Sequence, residues 1–93
     1  MAQVLDETEI ESRLRGSSWE RSGGEITREW RLRDFTDAIA FVNRVAEVAE
    51  KRNHHPDILV HGYNRVRLTL STHSAGGLTE NDFELARRVD ALE

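Results

Sequence analysis

Asn64-Arg65-Val66-Arg67-Leu68-Thr69-Leu70-Ser71-Thr72-His73 is the stretch that decides the fold. Apolar and polar residues alternate along it. Val66, Leu68 and Leu70 therefore share one face of a strand, and Arg65, Arg67, Thr69, Ser71 and His73 share the other. Just upstream, Asp57–Gly62 contains Ile58-Leu59-Val60 and reads as a second, shorter strand. Strands joined by so short a turn pair antiparallel. Glu25–Arg33 repeats the alternation, with Ile26, Trp30 and Leu32 on one face and Arg31 and Arg33 on the other. The turn signal Ser22-Gly23-Gly24 precedes it, and Trp19–Ser22 is a weaker strand before that, so these two runs read as a hairpin.

Three helices surround the strands. Asp6–Leu14 is short and acidic, with Ile10 and Leu14 four apart and Gly16 placed to stop it. Asp34–Asn53 is the strongest helix. Asp34 can cap it, and Phe35, Ala38, Ile39, Val42, Val45, Ala46 and Ala49 recur at 3.6-residue spacing as an apolar stripe. Pro56, the only proline, cannot continue it, so the chain turns at His54-His55. After a loop at Ser74–Gly77, Thr79-x-x-Asp82 is a capping box that opens the last helix, with Leu78 and Phe83 as its hydrophobic staple. The order α-β-β-α-β-β-α predicts an α+β fold: a four-stranded antiparallel sheet with helices packed on its apolar face.

Length and composition set the bounds. Ninety-three residues predict one domain over 1–93. Such a chain buries roughly 60–65% of its unfolded surface, so self-association is an economical way to bury more. A net charge of −4 argues against nucleic acid as a direct partner, despite local arginines at Arg28, Arg31, Arg33, Arg65 and Arg67. With no cysteine, disulfides and thiolate chemistry are excluded. The longest apolar run is Ala38–Val42, far short of a membrane span, and Met1-Ala2-Gln3-Val4 shows no secretory signal. The expectation is a cytoplasmic protein with no membrane partner.

Chemistry points to the histidines. Glu50-Lys51-Arg52-Asn53-His54-His55-Pro56-Asp57 sets two imidazoles at a helix end, and His73 stands where a strand runs out. Imidazole titrates near neutrality and can trade protons with a ligand. Against this stand plainer roles: a histidine can cap the helix carbonyls, and Glu50 can form an i, i+4 surface pair with His54. Glu50 could equally orient that imidazole. Asp82 has a structural role in its capping box, and the hydroxyls of Ser71 and Thr72 could bond a ligand. His54, His55 and His61 lack a familiar zinc spacing, so no metal site is expected. His61, beside Gly62, reads as merely exposed, and Trp19 and Trp30 as core or subunit-contact residues.

Four fragments in order complete the reading: Glu50-Lys51-x-x-His54-His55-Pro56-Asp57, Tyr63-Asn64-x-Val66, Leu70-Ser71-Thr72-His73 and Gly77-Leu78-Thr79-x-x-Asp82. Together they resemble the pterin-4a-carbinolamine dehydratase family. The resemblance implies the α+β fold above, in homodimers or homotetramers. It implies dehydration of 4a-hydroxytetrahydropterin to quinonoid dihydropterin, in tetrahydrobiopterin recycling, with no metal or cofactor. By position it implies His54, His55 and His73 as catalytic histidines, with Glu50, Ser71, Thr72 and Asp82 orienting or binding. His54 and His73 would transfer protons, His55 would bind or orient the ring, and Glu50 would position His54. This chain departs from the family pattern at Asn53, at Ile58, and in a stretch between Pro56 and Tyr63 that is one residue longer, which implies a bulge or a longer turn. The same fold also serves non-catalytic dimerisation and assembly factors, a second expectation for this chain.

Overall fold

The computed structural model describes residues 3–92. Its elements are α1 (Glu7–Leu14), β1 (Glu20–Ser22), β2 (Glu25–Arg31), α2 (Phe35–Arg52), β3 (Asp57–His61), β4 (Arg65–Leu70), a 3-10 turn (His73–Ala75) and α3 (Glu80–Asp90). The strands form one antiparallel sheet in the order β1-β2-β4-β3. The expected α+β class and element order are both found.

The alternation in β4 does what a half-buried strand requires. Val66, Leu68 and Leu70 are buried, and Arg65 and Arg67 are exposed. β4 is central, pairing Trp30↔Val66 and Arg28↔Leu68 on one side and Ile58↔Leu68 on the other. Helices cover the apolar face. Ile26, Trp30, Leu68, Phe41, Val45, Leu85 and Val89 belong to one core cluster. Trp19 meets Trp30 edge-on at 5.7 Å, so both tryptophans are core residues. The indole N–H of Trp30 is buried without a hydrogen-bond partner, a cost of about 1–3 kcal/mol that the surrounding aromatic packing offsets.

Two expectations need correction, and one pair of alternatives is decided. The apolar stripe of α2 splits in two. Ala38, Phe41, Val45 and Ala49 face the core, while Phe35 and Ile39 stay exposed at 54% and 37%. Seven apolar positions span more of the helix circumference than one sheet covers, and Phe41, absent from the expected stripe, lies at the centre of the covered side. The strand expected to run to His73 ends at Leu70. Thr72 then bridges Gly77, and the 3-10 turn fills the loop between them. No bulge interrupts β3, which pairs with β4 residue for residue from Asp57↔Thr69 to His61↔Arg65. Of the bulge or longer turn expected there, the structure has a turn, Gly62-Tyr63-Asn64, in which Gly62 and Tyr63 both take positive φ.

Caps fix the ends that matter for the site. Asp34 accepts from the Asp37 N–H at 2.8 Å and starts α2. Asn53 ends it in the left-handed region at φ 49°, a conformation asparagine tolerates better than most residues. The His54 N–H returns to the Ala49 carbonyl at 3.1 Å. The chain thus leaves α2 with its direction set before Pro56 begins the approach to β3.

Candidate active site at the junction of α2, β4 and α3

The sharp end of α2 points His54 at the start of α3. His54 Nε2 lies 2.6 Å from Asp82 Oδ1, with the imidazole side chain 13% exposed and the carboxylate fully buried. Asp82 is the third residue of α3, and the capping box holds it there. The Thr79 backbone N–H donates to Asp82 Oδ2 at 2.9 Å, and the Thr79 hydroxyl accepts from the Asn81 N–H at 3.2 Å. Leu78 and Phe83 are buried as the staple requires.

β4 supplies the third side. Just past its end, Thr72 turns inward and donates from Oγ1 to Asp82 Oδ2 at 2.8 Å. Its Oγ1 also lies 2.8 Å from Thr79 Oγ1. The backbone at Thr72 is pinned by its N–H to the Gly77 carbonyl at 3.1 Å. Gly77 itself is held under Val4, where an added Cβ would come within 3.3 Å of a methyl group. A buried carboxylate is thereby satisfied at both oxygens by groups from three elements, as a buried charge requires.

Two exposed pairs flank this network in the chain. His55 Nε2 is 2.7 Å from Glu50 Oε1, and both side chains are largely exposed. Ser71 Oγ is 3.4 Å from His73 Nε2. His73 lines a cleft with Gly24, Glu25, Ser71, Gly76 and Gly77.

The structure therefore joins His54, Asp82 and Thr72 directly. It pairs Glu50 with His55 and Ser71 with His73. Among the described residues no hydrogen bond links His73 to His54 or His55. Glu50 does not position His54 as expected. Its carboxylate reaches one residue further, and the buried Asp82 takes His54 instead. Helical i, i+4 spacing favours Glu50 for His54 only while the helix continues, and Asn53 ends it first. Sequence reasoning also missed the Thr79 hydroxyl as more than a cap. A threonine three residues before a buried aspartate was the available signal, but nothing local shows that Thr72 completes the group.

The fourth histidine lies elsewhere. His61 Nε2 is 2.8 Å from Glu29 Oε1 on the open sheet face, and that hydrogen bond is the main cause holding the Glu29 carboxyl below its usual range. Among the described residues no group of three or more His, Asp or Glu side chains is placed to hold a metal ion. No helix among them is long and apolar enough to cross a membrane.

Comparison with known proteins assigns the family. The family model described as pterin 4 alpha carbinolamine dehydratase matches residues 3–92. A protein of Thermomicrobium roseum provisionally named as such a dehydratase is 51% identical over 89 residues, covering 95% of both chains. One from Acidobacterium capsulatum, named in the same way, is 53% identical over 93 residues, covering 99% of both. The crystal structure of a transcriptional coactivator/pterin dehydratase from Brucella melitensis superposes with a TM-score of 0.90 at 39% identity, covering 97% of this chain and 98% of that one. A pterin dehydratase-like RuBisCO assembly factor of the alpha-carboxysome superposes at 0.64 with 25% identity, covering 80% and 84%. On the extent of these matches, the chain belongs to the pterin 4 alpha carbinolamine dehydratase family.

Proposed function

We propose that this protein dehydrates 4a-hydroxytetrahydropterin to quinonoid dihydropterin, with His54, His55 and His73 as its working histidines. The observation that carries the reading is the buried Thr72–Asp82–His54 network, which spends three elements on holding one imidazole. Family membership and the names of the relatives support the same activity.

The reaction has two proton demands. The C4a–O bond breaks with its electron pair on oxygen, and that oxygen needs a proton to leave as water. The N5–H proton must also depart, and its electron pair closes the N5=C4a bond. An imidazole with an ordinary pKa of ~6.5 can serve either demand near neutral pH. In this reading His54 and His73 exchange protons with the substrate. His55 binds or orients the ring with Glu50 behind it, Ser71 lines the approach, and the buried Thr72 orients His54 through Asp82. Tetrahydrobiopterin recycling is the process such a product enters.

Homodimers or homotetramers belong to the same proposal. Phe35, Ile39, Val42 and Ala46 make a second apolar stripe along α2, and the edge strand β3 exposes Ile58 and Leu59. That stripe also favours a second reading, a non-catalytic assembly factor, as does the likeness to the RuBisCO assembly factor.

The test is loss of the 4a-hydroxy intermediate, followed by absorbance with purified protein. The wild type should exceed a His54→Ala, His73→Ala double variant by at least ~10²-fold. Equal rates would overturn the dehydratase reading. Equal rates together with a stoichiometric protein partner in a pull-down would establish the second.

A further inference from the structure

Counting protons fixes the hydrogen-bond directions around Asp82. A hydroxyl has one proton to give, and a carboxylate oxygen only accepts. The Thr72 hydroxyl therefore spends its proton on Asp82 Oδ2, 2.8 Å away. Thr72 Oγ1 also sits 2.8 Å from Thr79 Oγ1, so in that contact Thr79 must be the donor. Asp82 Oδ2 is then occupied twice, by the Thr72 hydroxyl and by the Thr79 N–H. Oδ1 remains, 2.6 Å from His54 Nε2, and that contact needs a proton on the nitrogen.

We infer that Thr79 is a positioning residue: its hydroxyl starts a one-way chain through Thr72 to Asp82 that holds His54 as the Nε2–H tautomer and leaves Nδ1 as the nitrogen that works on the substrate. The consequence for turnover rests on the dehydratase reading above, but the tautomer does not. A neutral imidazole carries one N–H, so with it on Nε2 only Nδ1 keeps a lone pair. His54 is thereby the proton acceptor of the pair. Its Nδ1 takes the N5 proton, the N5–H electrons form the N5=C4a bond, and the departing oxygen takes its proton from His73. The resulting His54 cation keeps its Nε2–H on the Asp82 carboxylate.

Thr79 matters because it is fully buried and because it governs the freedom of Thr72. Without the Thr79 donor, the Thr72 hydroxyl loses a partner and can rotate off Asp82. The carboxylate then loses the donor that holds Oδ2 inward and Oδ1 toward His54. Valine in place of Thr79 keeps the shape but removes both the proton and the cap on the Asn81 N–H, whereas Thr72→Val interrupts the chain and leaves that cap in place. Serine keeps the proton.

The experiment is long-range proton–nitrogen NMR on 15N-labelled protein about two pH units above the ordinary histidine value of ~6.5, read beside dehydration kinetics. The wild type should show His54 with a protonated Nε2 and a bare Nδ1. Thr79→Val should mix the tautomers and lower kcat by on the order of tenfold or more with KM nearly unchanged. Thr79→Ser should restore both readouts. If Thr79→Val fails to fold, Thr72→Val interrupts the next link and should mix the tautomers in the same way. A wild-type His54 protonated on Nδ1 would overturn the inference. So would a folded valine variant with unchanged tautomer and kcat. Wild-type protein with the expected tautomer and no turnover would instead overturn the dehydratase reading alone.

Discussion

Replacing Asp82 by alanine and by asparagine separates its two jobs, the cap and the hold on His54. Alanine removes the acceptor of three hydrogen bonds in a fully buried position: from the Thr79 N–H, the Thr72 hydroxyl and His54 Nε2. The lost capping contact costs about 1 kcal/mol. A buried donor left without a partner costs roughly 1–3 kcal/mol. The Thr72 hydroxyl can turn to Thr79 Oγ1, 2.8 Å away, but the His54 Nε2–H, its side chain 13% exposed, is left without its acceptor. The sum is about 3 kcal/mol, a large share of the ~5–10 kcal/mol that holds a small domain together. For a chain of this length, that lowers the melting temperature by roughly 12–24 °C. Asparagine is different. Its amide oxygen can still accept from Thr79 and Thr72, so stability should fall by only about 1 kcal/mol. Its amide NH2, however, faces His54 Nε2 and forces that nitrogen to accept. The proton moves to Nδ1, and turnover should fall on the order of 10²–10⁴-fold, as expected for a working imidazole held in the wrong tautomer. Thermal melts by circular dichroism and stopped-flow dehydration kinetics read the two effects separately. An asparagine variant that turns over within a few-fold of wild type would refute the role given to Asp82. An alanine variant that melts with the wild type would refute the claim that this junction is held by its buried polar groups.

Three further outcomes are expected. Leu68→Ala, at a fully buried position in the central strand, should cost about 2–5 kcal/mol in urea unfolding, and a smaller loss would show that the sheet closes over the cavity. Glu7, Glu29, Glu80 and Glu84 are held below the ordinary 4.5, chiefly by hydrogen bonds from Arg21, His61, Arg13 and Arg87. Their folded values lie below their unfolded ones, so the stability they add is present above the unfolded value and lost as pH falls through the folded ones. The melting temperature should begin to drop only below about pH 5, modestly and less in high salt, and a melting temperature unchanged down to about pH 2 would contradict it. Ile39→Glu places a charge on the exposed stripe of α2 and should shift sedimentation toward smaller species, whereas an unchanged profile would rule that stripe out as the self-association surface.

What the chain alone determined is local. Asp34 and Pro56 bracket α2 because a carboxylate can cap a helix start and a proline cannot extend a helix. Period-two alternation sets which side of β4 is dry, and the Thr79–Asp82 capping box opens α3, since both depend on residues within a few positions of each other. Tertiary structure decided the rest. Only the covered side of α2 could say that Phe41 is buried and Phe35 is not, because burial depends on what a helix packs against as well as on its period. Only the meeting of α2 with α3 could hand His54 to Asp82, twenty-eight residues away, and leave Glu50 to His55. Hydrogen-bond partners are chosen by distance in space, and a helix end in the left-handed region redirects a side chain in a way that sequence spacing does not encode.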